Sequence, residues 1–275
     1  MGPYGGLGVA LLRELAGQGR STFTVSGIRK TARGLGIAES YLSILLYRLH
    51  AAGMVRRLQR GTYALASGLP GFPEAHPFAI GMALVRGSAV SGWSALHHHG
   101  LTEQIPRVVT LTTTKRVATP SMRGAVREAP STWTVAGQTF EIVTVVPDHF
   151  FGDEEVWVGE AKVRIFDRER ALLDCFALPR RFGGVAEGLG ILEEHLSRID
   201  VKRLVAHALR YGTDAVTRRV GFALEGRGVG ARVVKPLRDR PMTGYRPLDP
   251  TRPPHGPRSP RWHIIENLSA PRGGA

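Results

Sequence analysis

Ala38-Glu39-Ser40-Tyr41-Leu42-Ser43-Ile44-Leu45-Leu46-Tyr47-Arg48-Leu49-His50-Ala51-Ala52 is followed directly by Gly53-Met54-Val55-Arg56-Arg57-Leu58-Gln59-Arg60-Gly61-Thr62-Tyr63-Ala64-Leu65. In the first stretch Leu42, Leu45, Leu46 and Leu49 fall at i, i+3, i+4 and i+7, one apolar stripe on a helix from about 38 to 52. The opposite face carries Ser40, Ser43 and Tyr47, with Tyr41 and Arg48 at its margin. These short polar, aromatic and cationic groups suit contacts to phosphates and base edges. Gly53 ends the helix. Residues 54–65 then read as strand, glycine-containing turn and strand, a hairpin that exposes Arg56, Arg57 and Arg60.

Upstream, Leu7, Val9 to Leu12 and Leu15 predict a first helix stopped by Gly17 and Gly19. Phe23-Thr24-Val25 is expected to be extended, and Ser26 to cap a second helix bearing Ile28, Arg29, Lys30, Thr31 and Arg33, stopped by Gly34 and Gly36. Three short helices and a basic hairpin in this order predict a winged helix-turn-helix over residues 1–66. The candidate DNA-binding residues are Arg29, Lys30, Arg33, Ser40, Tyr41, Ser43, Tyr47, Arg48, Arg56, Arg57 and Arg60.

Charge points the same way. Of a formal net charge of +14, residues 1–66 hold +7 and residues 225–275 hold +6, so 67–224 is nearly neutral. Such a balance implies a polyanionic partner, nucleic acid or an acidic membrane surface. No apolar run reaches the roughly 18 residues of a membrane span, and no leader peptide is recognisable. The lone Cys175, in an apolar run, reads as a core residue of a reducing compartment, so a cytoplasmic location is expected.

Residues 67–76 are rich in Gly and Pro and read as a linker. Beyond it helices are expected near 77–85 and 92–99, then strands at 108–112, 133–135, 140–146, 156–158 and 163–166. Helices follow at 170–177 behind an Asp167 cap and near 186–199, 201–211 and 214–224. Strands before helices make the 77–224 domain mixed α/β and the whole chain α+β. Half of the eighteen prolines lie in 225–275. That basic, proline-rich tail is expected to be partly disordered, either a phosphate-binding arm or a loosely docked extension.

The block Ala89-Val-Ser-Gly-Trp-Ser-Ala-Leu-His-His-His-Gly-Leu-Thr-Glu-Gln-Ile-Pro-Arg-Val-Val-Thr-Leu-Thr-Thr-Thr-Lys-Arg116 resembles the AbiEi family of antitoxins, as do Phe166-Asp-Arg-Glu-Arg-Ala-Leu-Leu-Asp-Cys175 and Pro179 with Gly183-Gly184. With the predicted winged helix the resemblance covers roughly residues 5–210 and leaves out the tail. It implies a two-gene toxin–antitoxin module linked to phage defence. The winged helix would bind inverted repeats in double-stranded DNA of its own promoter and repress the pair. The C-terminal domain would counteract a nucleotidyltransferase-like toxin without needing a stable complex.

A rival chemistry is present in outline. Asp148 after Pro147, then Glu160 and Lys162, match the PD…(D/E)xK pattern of metal-dependent nucleases, which needs two carboxylates for Mg²⁺ and a lysine beside the attacking water. His97-His98-His99 point about 100° apart on a helix and cannot converge on one ion. No cofactor, resident metal or nucleophile-elbow motif is read, and the expectation is a non-enzymatic regulator. Arg107, Lys115 and Arg116 bracket a strand and could make a second basic patch.

Overall fold

The computed structural model describes residues 3–66, 68, 70–119 and 131–268. The chain divides into two compact units, one of Met1–Val90, Arg107–Thr144 and Glu155–Ile165, the other of Ser91–Pro106, Val145–Glu154 and Phe166–Ala275. The division expected at 67–76 is therefore not where the units part.

In the first unit α1 (Pro3–Gly17), β1 (Thr22–Thr24), α2 (Val25–Gly34), α3 (Glu39–Ala51), β2 (Val55–Gln59) and β3 (Thr62–Leu65) follow one another. The three strands form an antiparallel sheet in the order β1-β3-β2. Leu11, Leu12, Leu15, Ile28, Leu42, Leu45, Leu46 and Leu49 share one apolar core with Val55 and Leu65 of the hairpin. The cap of α2 differs from expectation. Thr24, at the extended end of β1, accepts from Gly27 N at 3.0 Å, and Val25 is already helical. A cap must keep extended dihedrals, and only Thr24 does so here.

The same unit holds α4 (Pro77–Leu84) and a six-stranded mixed sheet among the described residues. Its strands are β4 (Ala89–Val90), β5 (Val108–Thr113), β6 (Thr132–Val135), β7 (Gln138–Thr144), β8 (Asp153–Val158) and β9 (Ala161–Phe166), in the order β6-β7-β5-β4-β9-β8. β5 pairs parallel with β7 over six residues, Val108 opposite Thr139 through Thr113 opposite Thr144. α4 closes on this sheet at Gly81, where a Cβ would lie 3.0 Å from the side chains of Leu111 and Phe140. It is also tied to the hairpin, since Gln59 Nε2 donates to Leu84 O at 3.2 Å. Residues 67–76 thus join packed parts rather than separate domains. β8 is twice the expected length, because residues 153–155, with their three acids, extend it as an edge strand that tolerates charge.

The second unit is helical: α5 (Gly92–His98), α6 (Arg168–Ala177), α7 (Val185–His195), α8 (Val201–Tyr211), α9 (Asp214–Glu225) and α10 (Ala231–Arg238). Asp167 caps α6 as expected, accepting from Arg170 N at 2.7 Å and meeting His207 Nε2 at 2.9 Å. Burial opposes the charged form of this carboxyl. The hydrogen bonds from His207 and Arg170 N, with the nearby charges of His207 and Arg203, outweigh that and hold it below the ordinary aspartate range.

The tail departs most from its expectation. Residues 239–268 carry a small sheet of β10 (Arg246–Pro247), β11 (Arg258–Ser259) and β12 (Ile264–Ile265), in the order β10-β12-β11. Trp262 is buried against α9, its ring so near Gly221 that a Cβ there would lie 2.1 Å away. Prolines deny the segment regular ladders, and side chains supply the missing partners. Arg218 of α9 donates to Gly244 O at 2.7 Å, Thr243 O at 3.0 Å and His263 O at 3.0 Å. Asn267 Nδ2 donates to Asp249 O at 2.8 Å, and Asp249 accepts from Val185 N at 3.1 Å. The remaining residues, 269–275, lie outside the described residues.

Trp262→Ala should therefore cost about 3–5 kcal/mol, as emptying a large aromatic site does, and should open residues 240–268 to trypsin; an unchanged denaturation midpoint would contradict docking of the tail. Asp167→Asn should remove stability that the carboxylate contributes above about pH 4 and loses as the pH falls through its lowered folded value. Melting curves of parent and variant should therefore differ at neutral pH and converge in acid.

Candidate nucleic-acid interface

The leucine stripe of α3 decides which residues face outward. Leu42, Leu45, Leu46 and Leu49 are all buried, and the helix geometry then turns Ser40, Ser43, Ile44, Tyr47 and Arg48 to solvent. Tyr47 is 71% exposed and Ile44 48%. Tyr41 and Arg48 are paired on the margin of this face, with Arg48 Nη1 donating to Tyr41 Oη at 3.1 Å and the guanidinium 5.9 Å from the ring centroid. Ala38 precedes the helix and offers no side-chain cap; Tyr41 N and Leu42 N already donate to Ala38 O at 3.0 and 3.1 Å, which leaves the N–H groups of Glu39 and Ser40 for solvent or a phosphate oxygen.

On α2 Arg29, Lys30 and Arg33 are exposed, and Arg29 Nε meets Glu39 Oε1, at the start of α3, at 3.1 Å. Such a pair is worth little energetically. Its effect on the surface is to neutralise one of the two acids in residues 1–66.

The hairpin does not present its three arginines on one surface. Val55 lies opposite Leu65 and Arg57 opposite Tyr63, the strand face that packs on the three helices. Arg56, one residue out of phase, lies opposite Ala64 on the other face and lines a cavity of about 530 Å³. A register shift between Arg57 and Gln59 re-aims the strand before the turn. Gly61 closes that turn at φ +72, a value that favours glycine, beside the exposed Arg60. Arg56 and Arg57 thus lie on opposite faces of the strand.

Arg107, Lys115 and Arg116 are exposed but sit beyond opposite ends of β5, about 20 Å apart along a six-residue strand. They do not form one patch. Of the nuclease-like residues, Asp148 lies in a 3-10 turn at 147–149, Glu160 in the β8–β9 turn, and Lys162 on β9. All three are exposed, and the Lys162 ammonium is engaged by Glu155. Among the described residues no group of three His, Cys, Asp or Glu side chains is placed to hold a metal ion. His99 Nε2 bonds Phe166 O at 2.7 Å, a structural use.

Sequence reading missed a set of buried cations. Arg170 is 1% exposed, bound to Asp174 and to His149 O at 3.1 Å, with its guanidinium 4.5 Å from the Phe166 ring centroid. Arg218 and Arg219 are buried on α9. The i,i+4 spacings of Arg170 with Asp174 and of Asp214 with Arg218 were the available signals.

Residues 10–66 match the family described as "Transcriptional regulator, AbiEi antitoxin". The match lies on the helices and hairpin above and does not include the 89–116 block that carried the resemblance. The fold over 94% of this chain is similar to 90% of a chain in the crystal structure of the RV2827C protein from Mycobacterium tuberculosis, at a TM-score of 0.62 and 13% identity. No curated protein matches significantly in sequence. No described helix is long and apolar enough to cross a membrane.

The inward and outward assignment of α3 has a direct check. Leu46→Ala should lower stability by about 2–5 kcal/mol, while Tyr47→Ala should stay within about 0.5 kcal/mol of the parent. Comparable losses from the two in chemical denaturation would overturn it.

Proposed function

We propose that residues 1–66 are a winged helix-turn-helix that reads duplex DNA, with α3 as recognition helix and the β2–β3 hairpin as wing, in a chain that represses its own operon as an antitoxin. The observation that carries this reading is the outer face of α3. Ser40, Ser43, Tyr47 and Arg48 are exposed there, in a segment that matches a family of antitoxin transcriptional regulators. α3 is 13 residues long, about 20 Å, enough to lie in a major groove. Arg57 and Arg60 lie on the hairpin that follows through the turn at 52–54, within reach of the flanking phosphates.

Base reading and backbone grip are divided between the elements. Ser43 and Tyr47 project from the middle of α3, where base edges would be met. Arg29, Lys30, Arg33, Arg57 and Arg60 supply charge without sequence information. Double-stranded DNA of the chain's own promoter is the proposed target, and a nucleotidyltransferase-like toxin the activity counteracted. The family match supports the regulator and antitoxin roles, and the identity of the toxin rests on the resemblance alone.

Fluorescence anisotropy with the DNA upstream of this gene should show binding that weakens steeply with salt. Arg57→Ala and Arg60→Ala should each flatten the slope of log K against log salt by about 1 and weaken specific and unrelated duplexes alike. Ser43→Ala should narrow the gap between them by about 1–3 kcal/mol. Arg56→Ala should leave affinity near the parent value. Equal affinity for upstream and unrelated duplexes at physiological salt would refute the repressor.

A further inference from the structure

The cavity beside Arg56 lies on the strand face away from Arg57. Its volume of about 530 Å³ falls within the roughly 300–1,000 Å³ of small-molecule sites. Its walls come from β2, from the segment 73–77 that leads into α4, and from the β6–β7 and β8–β9 turns, all within the first unit. The β6–β7 turn is tight, with Ala136 at φ 54 and Gly137 at φ 80, a pair of positive dihedrals that fixes one wall.

Three charged groups line this space. Arg56 projects from β2, Glu74 from the segment before α4, and Glu160 from the tip of the β8–β9 turn. All three are exposed, and among the described residues none of them has an ion-pair or hydrogen-bond partner. Their neighbours are already committed. His76 Nδ1 accepts from Phe78 N at 3.1 Å, which puts the ring proton on Nε2, and Gln138 Nε2 donates to Arg107 O at 3.1 Å and Thr139 O at 3.0 Å. Burial lowers the His76 pKa.

From this arrangement we infer that the cavity is a binding site for a small zwitterion of amino-acid or short-peptide chemistry, its carboxylate on Arg56 and its ammonium group on Glu74 and Glu160. A guanidinium receives a carboxylate through two parallel hydrogen bonds. The two glutamates supply the acceptors that an ammonium group needs. A ligand with only negative charge meets two carboxylates, and one with only positive charge meets Arg56, so like-charge repulsion selects against both.

The test uses the full chain with glycine, L-glutamate, L-lysine and glycylglycine as probes, and acetate and methylamine as single-charge controls. At concentrations well above the dissociation constant, at least one zwitterion should raise the melting midpoint by about 2–4 °C. The same zwitterion should shift the amide resonances of residues 56, 74–76 and 159–160. Arg56→Gln and Glu160→Gln should each weaken that binding by about tenfold or more, whereas Arg57→Gln should leave it unchanged. The inference fails if no zwitterion binds, if acetate or methylamine binds as tightly, or if Arg56→Gln binds like the parent. These readouts involve no DNA, so they stand or fall separately from the DNA reading.

Discussion

Burial of Leu42, Leu45, Leu46 and Leu49 on one side of α3 is the interaction on which the candidate interface depends. With that stripe in the core shared by α1, α2 and the hairpin, rotation of the helix is fixed, and so are the residues shown to solvent. Turning α3 by one residue, about 100°, would bury Ser43 and Tyr47 and expose leucines whose burial is worth about 2–3 kcal/mol each. The outward display of Ser40, Ser43, Tyr47 and Arg48 is thus a consequence of core packing. The hairpin inherits the same constraint, because Val55 and Leu65 are buried in that core and the connection through Gly53 is short.

Net charge needs a finer reading than its sum. Arg170, Arg218 and Arg219 are buried and hold carbonyl groups, ring faces and neighbouring carboxylates. Their charge organises the helical unit and is not offered to a polyanion. In the tail Arg261 meets Glu225 at 2.8 Å, and Lys235 is bound to Asp239. By contrast Lys30, Arg33, Arg57 and Arg60 are exposed on the first unit.

Much of the N-terminal fold was legible because strong periodicity and glycine stops agree there. The α3 stripe, the hairpin and the Asp167 cap of α6 could be read from spacing alone. Three things could not. The cap of α2 depends on which of Thr24 and Ser26 keeps extended dihedrals, which is decided by pairing of β1 with β3. The faces of Arg56 and Arg57 depend on strand register, and a charge count treats adjacent arginines as equivalent. The tail was misread because proline content speaks only to regular structure. Buried Arg218, Arg219 and Asn267 provide its hydrogen bonds from residues near and far in sequence, and Trp262 provides a core that composition hides.

The central claim, that the outer face of α3 together with the hairpin tip meets duplex DNA, is tested most directly by titrating the chain with its upstream duplex and following backbone amide resonances. Shifts concentrated at residues 39–48 and 57–61, with the buried faces of α1 and α3 little changed, are the predicted result. Shifts confined to the helical unit, or none on α3 at saturating DNA, would contradict it.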